Sequence, residues 1–391
     1  MNIKKTGITV LLALTLTGAH AQKYVGGDIS LLPKYEQNGS KYLTHGGSAI
    51  VSLLPYCRQE GMNAMRLRLF AEPANASQTD KGQGVCQDLA YTVALGRRIK
   101  EAGMKLLLDL HYSDSWADPS KQWTPKAWLT LTDARLNAKI YTYTKEVLQQ
   151  MKAGGAEPDL IQTGNEISYG MLWGAEGSTA NRCYMGSETN WARFSNLLAQ
   201  AAKACREVCP QAKIVLHTER IAQTDVLQNF YRMMQQAGAD YDIIGLSYYP
   251  SFHGNMARLE QALTVLETNF ADKPIMIVET GYPLKWPVPG TTYDYTDTYP
   301  YSDEGQRHFA ADLVALLNRH KAVNGLFWWW LEANEYGHTG AGQVTSSWYN
   351  APLFDNETGR ATSAFYELKN FRTASTGISA ITKNAKIDDH A

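Results

Sequence analysis

The stretch Pro274-Ile275-Met276-Ile277-Val278-Glu279 indicates the fold more clearly than any other part of the sequence. Its unbroken apolar residues, with no polar alternation, are typical of a strand buried on both faces, as in a parallel sheet. Similar short β-type runs recur along the chain, before and after this one. The eight runs are Tyr24–Ile29, Asn63–Phe70, Lys105–Leu110, Asp159–Gly164, Lys213–His217, Asp242–Tyr248, Pro274–Glu279 and Val323–Trp329.

The segments between these runs have the periodicity of amphipathic helices. They include Leu89–Ala102, Ala134–Lys152, Trp191–Arg206, Val226–Gln236, Met256–Thr268 and Glu304–Arg319. Strand–helix alternation repeated in this way predicts an α/β fold, a closed (β/α)8 TIM barrel in a single domain. An open doubly wound sheet is the alternative. The connections after the third, fourth, seventh and eighth runs are long and rich in Trp, Tyr, Asp and Gly, so we expect the active site at the carboxyl ends of the strands.

Length and composition agree with one large globular domain and limit the class of partner. The chain has 391 residues, of which 44% are hydrophobic and 19% are charged. The formal net charge is −1, without a basic stripe, which excludes nucleic acid and anionic membranes as expected partners. The 10 Trp and 22 Tyr favour a site that stacks on sugar rings, although large aromatic residues also fill a barrel core.

The first 21 residues have the features of a secretory signal peptide. Lys4 and Lys5 precede a short apolar run, and Ala19-His20-Ala21 supplies small residues for cleavage before Gln22. The run is too short for a retained membrane span. We therefore expect residues 22–371 to form the catalytic barrel of a periplasmic or extracellular protein.

The last residues, 372–391, lack strong periodicity and are expected to form a disordered tail.

Five cysteines, an odd number, remain in a chain expected to reach an oxidising compartment. Cys205 and Cys209 are four residues apart in a predicted helix, where a disulfide is poorly accommodated. The sequence leaves open whether the five cysteines form one or two disulfides or none. We do not expect a cysteine metal site, because zinc needs more ligands than this pair provides.

Two glutamates stand at the ends of strands that face each other across the predicted barrel. The fourth run ends in Thr163-Gly164-Asn165-Glu166 and the seventh in Val278-Glu279-Thr280. Hydrolysis of a glycoside needs one protonated carboxylic acid for the leaving oxygen and one ionised carboxylate that attacks the sugar or activates water. Glu166 and Glu279 therefore predict a glycoside hydrolase. A salt bridge or a helix cap is the alternative for either glutamate alone.

Polar residues near the same strand ends are candidate substrate-binding residues. Asn165 can hydrogen-bond a sugar hydroxyl beside the reacting carbon. Arg66 and Arg68 are two apart on one strand and share a face, so they either hold the nucleophile ionised or only pack the barrel as an ion pair. His111 and Asp114 follow the third run, although a histidine here is also compatible with a structural role.

Two aromatic residues extend this set. Tyr249 shares a strand face with Ser247, so its hydroxyl is expected within reach of Glu279. Trp329 is expected to form the floor under the sugar that is cleaved. A core role is predicted for Trp328 and Trp330.

Several stretches together resemble the endo-β-1,4-galactanases of glycoside hydrolase family 53. The resemblance covers about residues 25 to 330, and its motifs are specific in combination. They are GDIS (27–30), RLRL (66–69), CQDLAYTVAL (86–95), LLDLHYSDSWADP (107–119), QTGNE (162–166), GMLW (170–173), DYDIIGLSYYP (240–250), HG (253–254) and VETGYP (278–283).

The resemblance implies a retaining mechanism, with Glu166 as acid/base and Glu279 as nucleophile. It implies linear β-1,4-galactan, the side chain of pectin, as the polysaccharide substrate of a protein that we expect to be monomeric. Substrate contacts are implied for the candidate residues above and for Trp116, which lies in the stretch 107–119.

The chain departs from the family at two places. The family's eighth strand usually carries an acidic residue after its tryptophan, whereas this chain has Phe327-Trp328-Trp329-Trp330-Leu331 with Glu332 displaced. Some relatives hold a structural calcium in the late loops. Asp294, Asp297 and Asn334 lie in such loops, but their spacing matches no calcium-binding loop, and no cofactor is expected to be required.

Two other functions remain open at this point. The same chemistry on another β-1,4-glycan, such as mannan or glucan, requires only a different sugar-binding surface. A barrel that binds glycans without cleaving them is the other alternative. A metal-dependent hydrolase is disfavoured because the first strand carries no pair of histidines with ligand spacing.

Overall fold

The computed structural model describes residues 22–340 and 351–373, in which eight parallel strands form a closed barrel. Each strand pairs with the next in chain order, and the last pairs with the first, from Tyr24↔Gly325 to Gly27↔Trp328. The predicted (β/α)8 barrel is confirmed. The strands are β1 (Tyr24–Asp28), β2 (Ala64–Leu69), β3 (Lys105–Leu110), β4 (Leu160–Thr163), β5 (Lys213–Thr218), β6 (Ile243–Tyr248), β7 (Ile275–Thr280) and β8 (Val323–Trp328).

Helices connect the strands and cover the outside of the barrel. In order they are α1 (Leu32–Gln37), α2 (Leu53–Gln59), α3 (Gln78–Gly82), α4 (Leu89–Glu101), α5 (Asp133–Ala153), α6 (Glu188–Val208), α7 (Thr224–Gln236), α8 (Pro250–His253), α9 (Met256–Asn269), α10 (Asp303–Arg319), α11 (Ser363–Glu367) and α12 (Asn370–Thr373). The six predicted helices correspond to α4, α5, α6, α7, α9 and α10. The others have too few turns to show a helical period in the sequence.

The barrel interior has an apolar layer below and a polar layer above. One apolar cluster contains residues from several strands that point to the same side, including Ala64, Leu107, Leu160 and Val215. Side chains two positions further along a strand point to the same face. At those positions stand the buried polar residues Arg66, Asp109, Gln162 and His217. The apolar layer therefore supports a polar layer at the carboxyl ends of the strands.

All five cysteines lie in the described part of the chain and are free thiols. Cys205 lies in the last turn of α6 and Cys209 directly after it, and both are buried. The sequence left open one or two disulfides or none, and the structure shows none among the five cysteines.

The two ends of the chain were expected to differ from the barrel. Residues 1–21, the predicted signal peptide, and residues 374–391 of the predicted tail lie outside the described residues. Among residues 22–340 and 351–373, no helix has the length and apolar character needed to cross a membrane.

Candidate active site

A cavity of about 800 Å³ lies at the carboxyl ends of the strands, on the side where the long connections were noted. Both candidate glutamates line it. The other predicted site residues in its lining are Asn165, His111, Arg68, Trp116, Tyr249 and Trp329. Residues that are distant in the sequence thus meet in one cavity because the barrel brings their strand ends to the same rim.

Glu166 follows β4 in a turn that departs from strand geometry. Gly164 has φ 102° and Glu166 has φ 48°, so the glutamate is in the left-handed region, which is strained for a side chain with a Cβ atom. Gln122 supports this turn. Its Nε2 donates to the carbonyl oxygens of Asn165 at 2.7 Å and of Glu166 at 3.2 Å.

The Glu166 side chain is surrounded by neutral and acidic groups. Ser247 Oγ donates a hydrogen bond to Glu166 Oε1 at 2.7 Å. Burial raises the pKa of Glu166 well above its usual value, and the negative charges of Glu279 and Glu219 raise it further. These surroundings favour the protonated form of Glu166.

Glu279 lies within β7 and has a cation beside it. Arg66 Nη2 is 2.9 Å from Glu279 Oε1, and the Tyr249 hydroxyl donates to Oε2 at 3.0 Å. Burial raises the pKa of Glu279 above its usual value, while Arg66 and the Tyr249 hydrogen bond oppose the rise. Of the two carboxyl groups, the one beside the guanidinium is the better stabilised when ionised, so we expect Glu279 to lose its proton first.

Arg66 connects the nucleophile position with the polar layer of the barrel. Besides Glu279, its guanidinium contacts Asp28 Oδ2 at 3.2 Å, Asp109 Oδ2 at 2.8 Å and Asn165 Oδ1 at 2.8 Å. Arg66 is fully buried and lies beneath the cavity. The two roles left open by the sequence, holding Glu279 and packing the barrel as an ion pair, are therefore combined in one residue.

Asn165 and His111 are each held by fixed partners. Asn165 Nδ2 donates to the carbonyl oxygen of Ala117 at 2.7 Å, while its Oδ1 accepts from Arg66. His111 Nε2 is 3.0 Å from Asp109 Oδ2. Burial alone would raise the pKa of Asp109, but Arg66 and His111 lower it to about 2. This arrangement keeps a permanent anion beneath the site and limits the rotation of both cavity-lining side chains.

Three tryptophans surround the guanidinium of Arg68 at one wall of the cavity. The Arg68 Cζ lies 4.8 Å from the ring centroid of Trp116, 5.7 Å from that of Trp330 and 5.9 Å from that of Trp329. The rings of Trp329 and Trp330 are stacked, with centroids 4.4 Å apart and an interplanar angle of 9°. Flat apolar rings with a cation behind them are suited to the C–H face of a sugar.

The predicted core tryptophans divide between two positions. Trp328 is fully buried in the core, and its Nε1 donates to the carbonyl oxygen of Ala351 at 2.6 Å. Trp330 is also buried but lines the cavity, with φ 52°. Trp330 therefore belongs to the wall of the cavity as well as to the core, unlike Trp328.

Asp114 and Glu332 lie outside the cavity lining. Asp114 Oδ2 accepts from Asn75 Nδ2 at 3.1 Å and from the backbone N–H of Lys126 at 3.0 Å, so it fixes the loop after β3. Glu332 is fully buried, and its Oε1 accepts from the backbone N–H of Leu31 at 2.6 Å. Because it is buried and bound to the backbone, the displaced acid of the eighth strand has a structural position, and burial raises its pKa to about 8.

Four polar residues around Glu166 were not predicted from the sequence. They are Gln122, His217, Glu219 and Ser247, all of them buried. From the sequence, Ser247 indicated only the strand face on which Tyr249 lies. His217 can be found from the sequence, because it is the polar residue that ends the otherwise apolar run Ile214-Val215-Leu216-His217.

Comparison with known families decides the relationship. The sequence profile described as glycosyl hydrolase family 53 matches residues 24–368. The chain belongs to this family. This family 53 protein is accordingly a glycoside hydrolase, which agrees with the resemblance seen in its motifs.

Individual relatives of the family 53 hydrolase agree with this assignment. A probable arabinogalactan endo-β-1,4-galactanase A of Neosartorya fischeri is 31% identical over 353 residues, covering 87% of this chain and 93% of the relative. An endo-β-1,4-galactanase of Bacillus subtilis is 30% identical over 315 residues, covering 78% of this chain and 68% of the relative. The solved GH53 catalytic domain of Ignisphaera aggregans is 32% identical with a TM-score of 0.76, over 91% of this chain and 97% of that one.

In the described part of its late loops, the family 53 hydrolase does not gather a set of metal ligands. Within residues 22–340 and 351–373, no group of three or more His, Cys, Asp and Glu residues is placed to hold a metal ion. Asp294 instead accepts from the backbone N–H of Thr296 at 2.9 Å, and Asn334 donates to the carbonyl oxygen of Lys41 at 3.0 Å.

Proposed function

We propose that this protein is an endo-acting, retaining hydrolase of β-1,4-galactosidic linkages in (arabino)galactan, the side chain of pectin. The names of its relatives support the substrate. The cavity of about 800 Å³, with tryptophans in its wall, supports binding of more than one sugar unit. A polymer of this kind is met outside the cytoplasm, which fits the predicted signal peptide.

The observation that carries the proposal is the difference between two glutamates that line one cavity. Glu279 has Arg66 and Tyr249 beside it, whereas Glu166 has Ser247 and nearby acids. One fold thus favours the ionised form of one carboxyl group and the protonated form of the other. Glycosidases with two carboxyl groups need this division of protonation states.

In the first step, a Glu279 carboxylate oxygen forms a bond to the anomeric carbon while the bond from that carbon to the glycosidic oxygen breaks. The proton of Glu166 moves to the departing oxygen, so the leaving sugar departs as a neutral alcohol and Glu166 becomes a carboxylate. In the second step, Glu166 takes a proton from water as the water oxygen attacks the same carbon. The bond to Glu279 breaks, and Glu279 is a carboxylate again. Two inversions give net retention.

The other residues of the site position the two glutamates or bind the sugar. Arg66 and Tyr249 hold Glu279 in place and disfavour its protonation. Asn165, fixed by Arg66 and Ala117, presents its amide to the hydroxyl next to the reacting carbon, a contact that strengthens in the transition state. Trp329 and Trp116 supply stacking surface for the sugar rings.

Product analysis tests the substrate and the mode of cleavage. The enzyme is incubated separately with linear galactan, arabinogalactan, mannan and β-glucan, and products are followed by chromatography. Internal cleavage of galactan should release a range of oligosaccharides early in the reaction, with the newly formed ends appearing first as the β-anomer by NMR. Cleavage of mannan or glucan in preference to galactan would replace the proposed substrate, and α-anomers as first products would exclude retention.

Two variants test the roles of the glutamates. Glu279→Ala should lose activity on the order of 10⁴-fold or more, because no group remains to form the intermediate. With azide and an activated aryl β-galactobioside, it should form the α-glycosyl azide. Glu166→Ala under the same conditions should form the β-glycosyl azide, because Glu279 still forms the intermediate. The same azide anomer from both variants would contradict the assignment. Full galactan cleavage by either variant would remove that residue from catalysis.

A further inference from the structure

A chain of hydrogen bonds leads from the barrel interior to Glu166 and includes two residues with no role so far. His217, at the polar layer of β5, lies with its Nε2 2.8 Å from Ser247 Oγ in β6. Ser247 Oγ donates to Glu166 Oε1 at 2.7 Å. The backbone N–H of Glu166 donates to His217 Nδ1 at 3.3 Å, which closes a ring of contacts. His217 and Ser247 are fully buried, so water does not compete for these bonds.

The protonation of His217 follows from its partners. Burial lowers the pKa of His217 well below its usual value, and Arg66 lowers it further, so the ring is neutral. Because Nδ1 accepts from the Glu166 backbone, the single ring proton is on Nε2. Asn165 Oδ1 is 3.1 Å from Nδ1 but already accepts from Arg66 Nη2 at 2.8 Å and from Gln162 Nε2 at 3.3 Å, so both of its lone pairs have donors without the histidine.

This tautomer fixes the direction of the chain. His217 Nε2–H donates to Ser247 Oγ, so the hydroxyl proton of Ser247 has to point elsewhere, and Glu166 Oε1 is the acceptor at hand. An oxygen that accepts the serine proton does not carry the proton of the acid. The catalytic proton of Glu166 then belongs on Oε2.

We propose that His217 and Ser247 are positioning residues that place the catalytic proton on one oxygen of Glu166 and stabilise the carboxylate left behind. This inference rests on the proposed role of Glu166 as acid/base. As Glu166 gives up its proton, the hydrogen bond from Ser247 changes from a neutral to a charge-assisted one and becomes stronger. An interaction that is stronger in the transition state than in the ground state accelerates the step.

The second step should respond differently to Ser247. There Glu166 begins as a carboxylate and ends as an acid, so the hydrogen bond weakens as the reaction proceeds. Loss of the hydroxyl should therefore slow the step in which the sugar bond is cleaved and should not slow hydrolysis of the intermediate.

Other charged groups also act on this chain and have to stay constant in a test. Glu166 faces Glu279 from β7, Glu219 from the end of β5 and Asp118 from the loop after β3. His217 faces a second set, namely Arg66, Asp109, His111 and His253. Replacing a neutral hydroxyl leaves all of these charges in place.

The experiment compares Ser247→Ala with the wild type on galactan and on aryl β-galactobiosides whose leaving groups range from poor to dinitrophenyl. We expect kcat/KM on galactan and on the poorest aryl leaving groups to fall about 10- to 100-fold, the effect of one charge-assisted hydrogen bond. On the dinitrophenyl substrate, kcat should stay within about 2-fold, since that leaving group needs no proton. The basic limb of the pH profile should move to higher pH, because the carboxylate of Glu166 has lost a donor.

Thr218→Val is a matched control on the strand of His217. Thr218 Oγ1 is 3.1 Å from the Tyr231 hydroxyl, is equally buried and does not line the cavity. The control should lose some thermal stability with no change in the dependence on leaving group or in the pH limb.

Three results would overturn the inference. They are unchanged activity of Ser247→Ala on every substrate, an equal loss on all substrates, and a basic limb that moves to lower pH. The last would mean that Ser247 accepts the acid's proton. Glu166→Gln, measured in parallel, separates this failure from that of the proposed function. If Glu166→Gln itself shows no steeper dependence on leaving group, Glu166 is not the acid, whatever Ser247 does.

Discussion

The rims at the ends of β4 and β7 place the same side chain in two different settings. On the β7 rim, Glu279 lies within regular strand and contacts a buried guanidinium. On the β4 rim, Glu166 lies beyond the strand, in a left-handed turn, and its side chain contacts a neutral hydroxyl. Ser247 connects the two rims, since it pairs in register with Glu279 and donates to Glu166.

The difference shows how one barrel separates an acid from an anion. Glu279 is buried and Glu166 is partly buried, and burial raises the pKa of both, so the partners decide which group ionises first. The charged partner, Arg66, comes from β2, while the neutral partner, Ser247, comes from β6, two strands away from β4. The protonation states therefore depend on interior residues as much as on residues that contact the sugar.

Replacing the charged partner should have the largest effect on this difference. Arg66→Lys keeps a positive charge but cannot contact all the acceptors of the planar guanidinium. We expect kcat/KM to fall about 10²- to 10³-fold, by analogy with the loss of other preorganised electrostatic contacts. Because the lysine ammonium contacts fewer of these acceptors, it should oppose the effect of burial on Glu279 less strongly, so the pKa of Glu279 should rise and the acid limb of the pH profile should move to higher pH. An acid limb at its original position in a folded variant would show that Arg66 does not control Glu279.

Removal of one hydroxyl should have a smaller effect on the same rim. Tyr249→Phe deletes the hydrogen bond to Glu279 Oε2 and should lower kcat/KM by about 10-fold, as for one bond to a charged group. The acid limb should move to higher pH, because the carboxylate has lost a donor. Ser247→Ala, the equivalent deletion on the β4 rim, should move the basic limb instead. Movement of the same limb in both variants, measured as kcat/KM against pH, would remove the distinction between the rims.

The smallest effect is expected away from both rims. Asp114→Asn keeps the shape of a side chain that binds Asn75 and Lys126 outside the cavity, so kcat and KM on galactan should change by less than about 2-fold. Its effect should instead appear as a modest decrease in melting temperature. A large increase in KM would return Asp114 to the substrate-binding residues predicted from the sequence.

The sequence predicted the features that depend on local pattern. Buried strands such as Ile275–Thr280 are nearly continuous apolar runs, and the glutamates stand where those runs stop. The barrel topology then brings strand ends to one rim, so Glu166, Glu279, Tyr249 and Asn165 could be assigned to one site from order along the chain alone.

The parts that were not predicted depend on contacts between distant segments. Gln122 reaches the turn at Glu166 from the loop after β3, and no spacing in the sequence indicates that contact. Whether Asp114 faces the cavity depends on the path of its loop, which local pattern does not determine. Likewise, the role of Ser247 requires knowing which carboxyl group its hydroxyl meets, because both are near.

The contacts of Arg66 with several strands have a consequence for how the protein loses activity on heating. They come from the ends of β1, β3, β4 and β7, so the nucleophile is aligned only while most of the ring of strands is intact. A partly opened ring would release this arginine from at least one acceptor and leave a buried anion without its counter-charge. Catalysis and the native ring should therefore disappear in a single cooperative thermal transition, with no warm, loosened form that still turns over substrate.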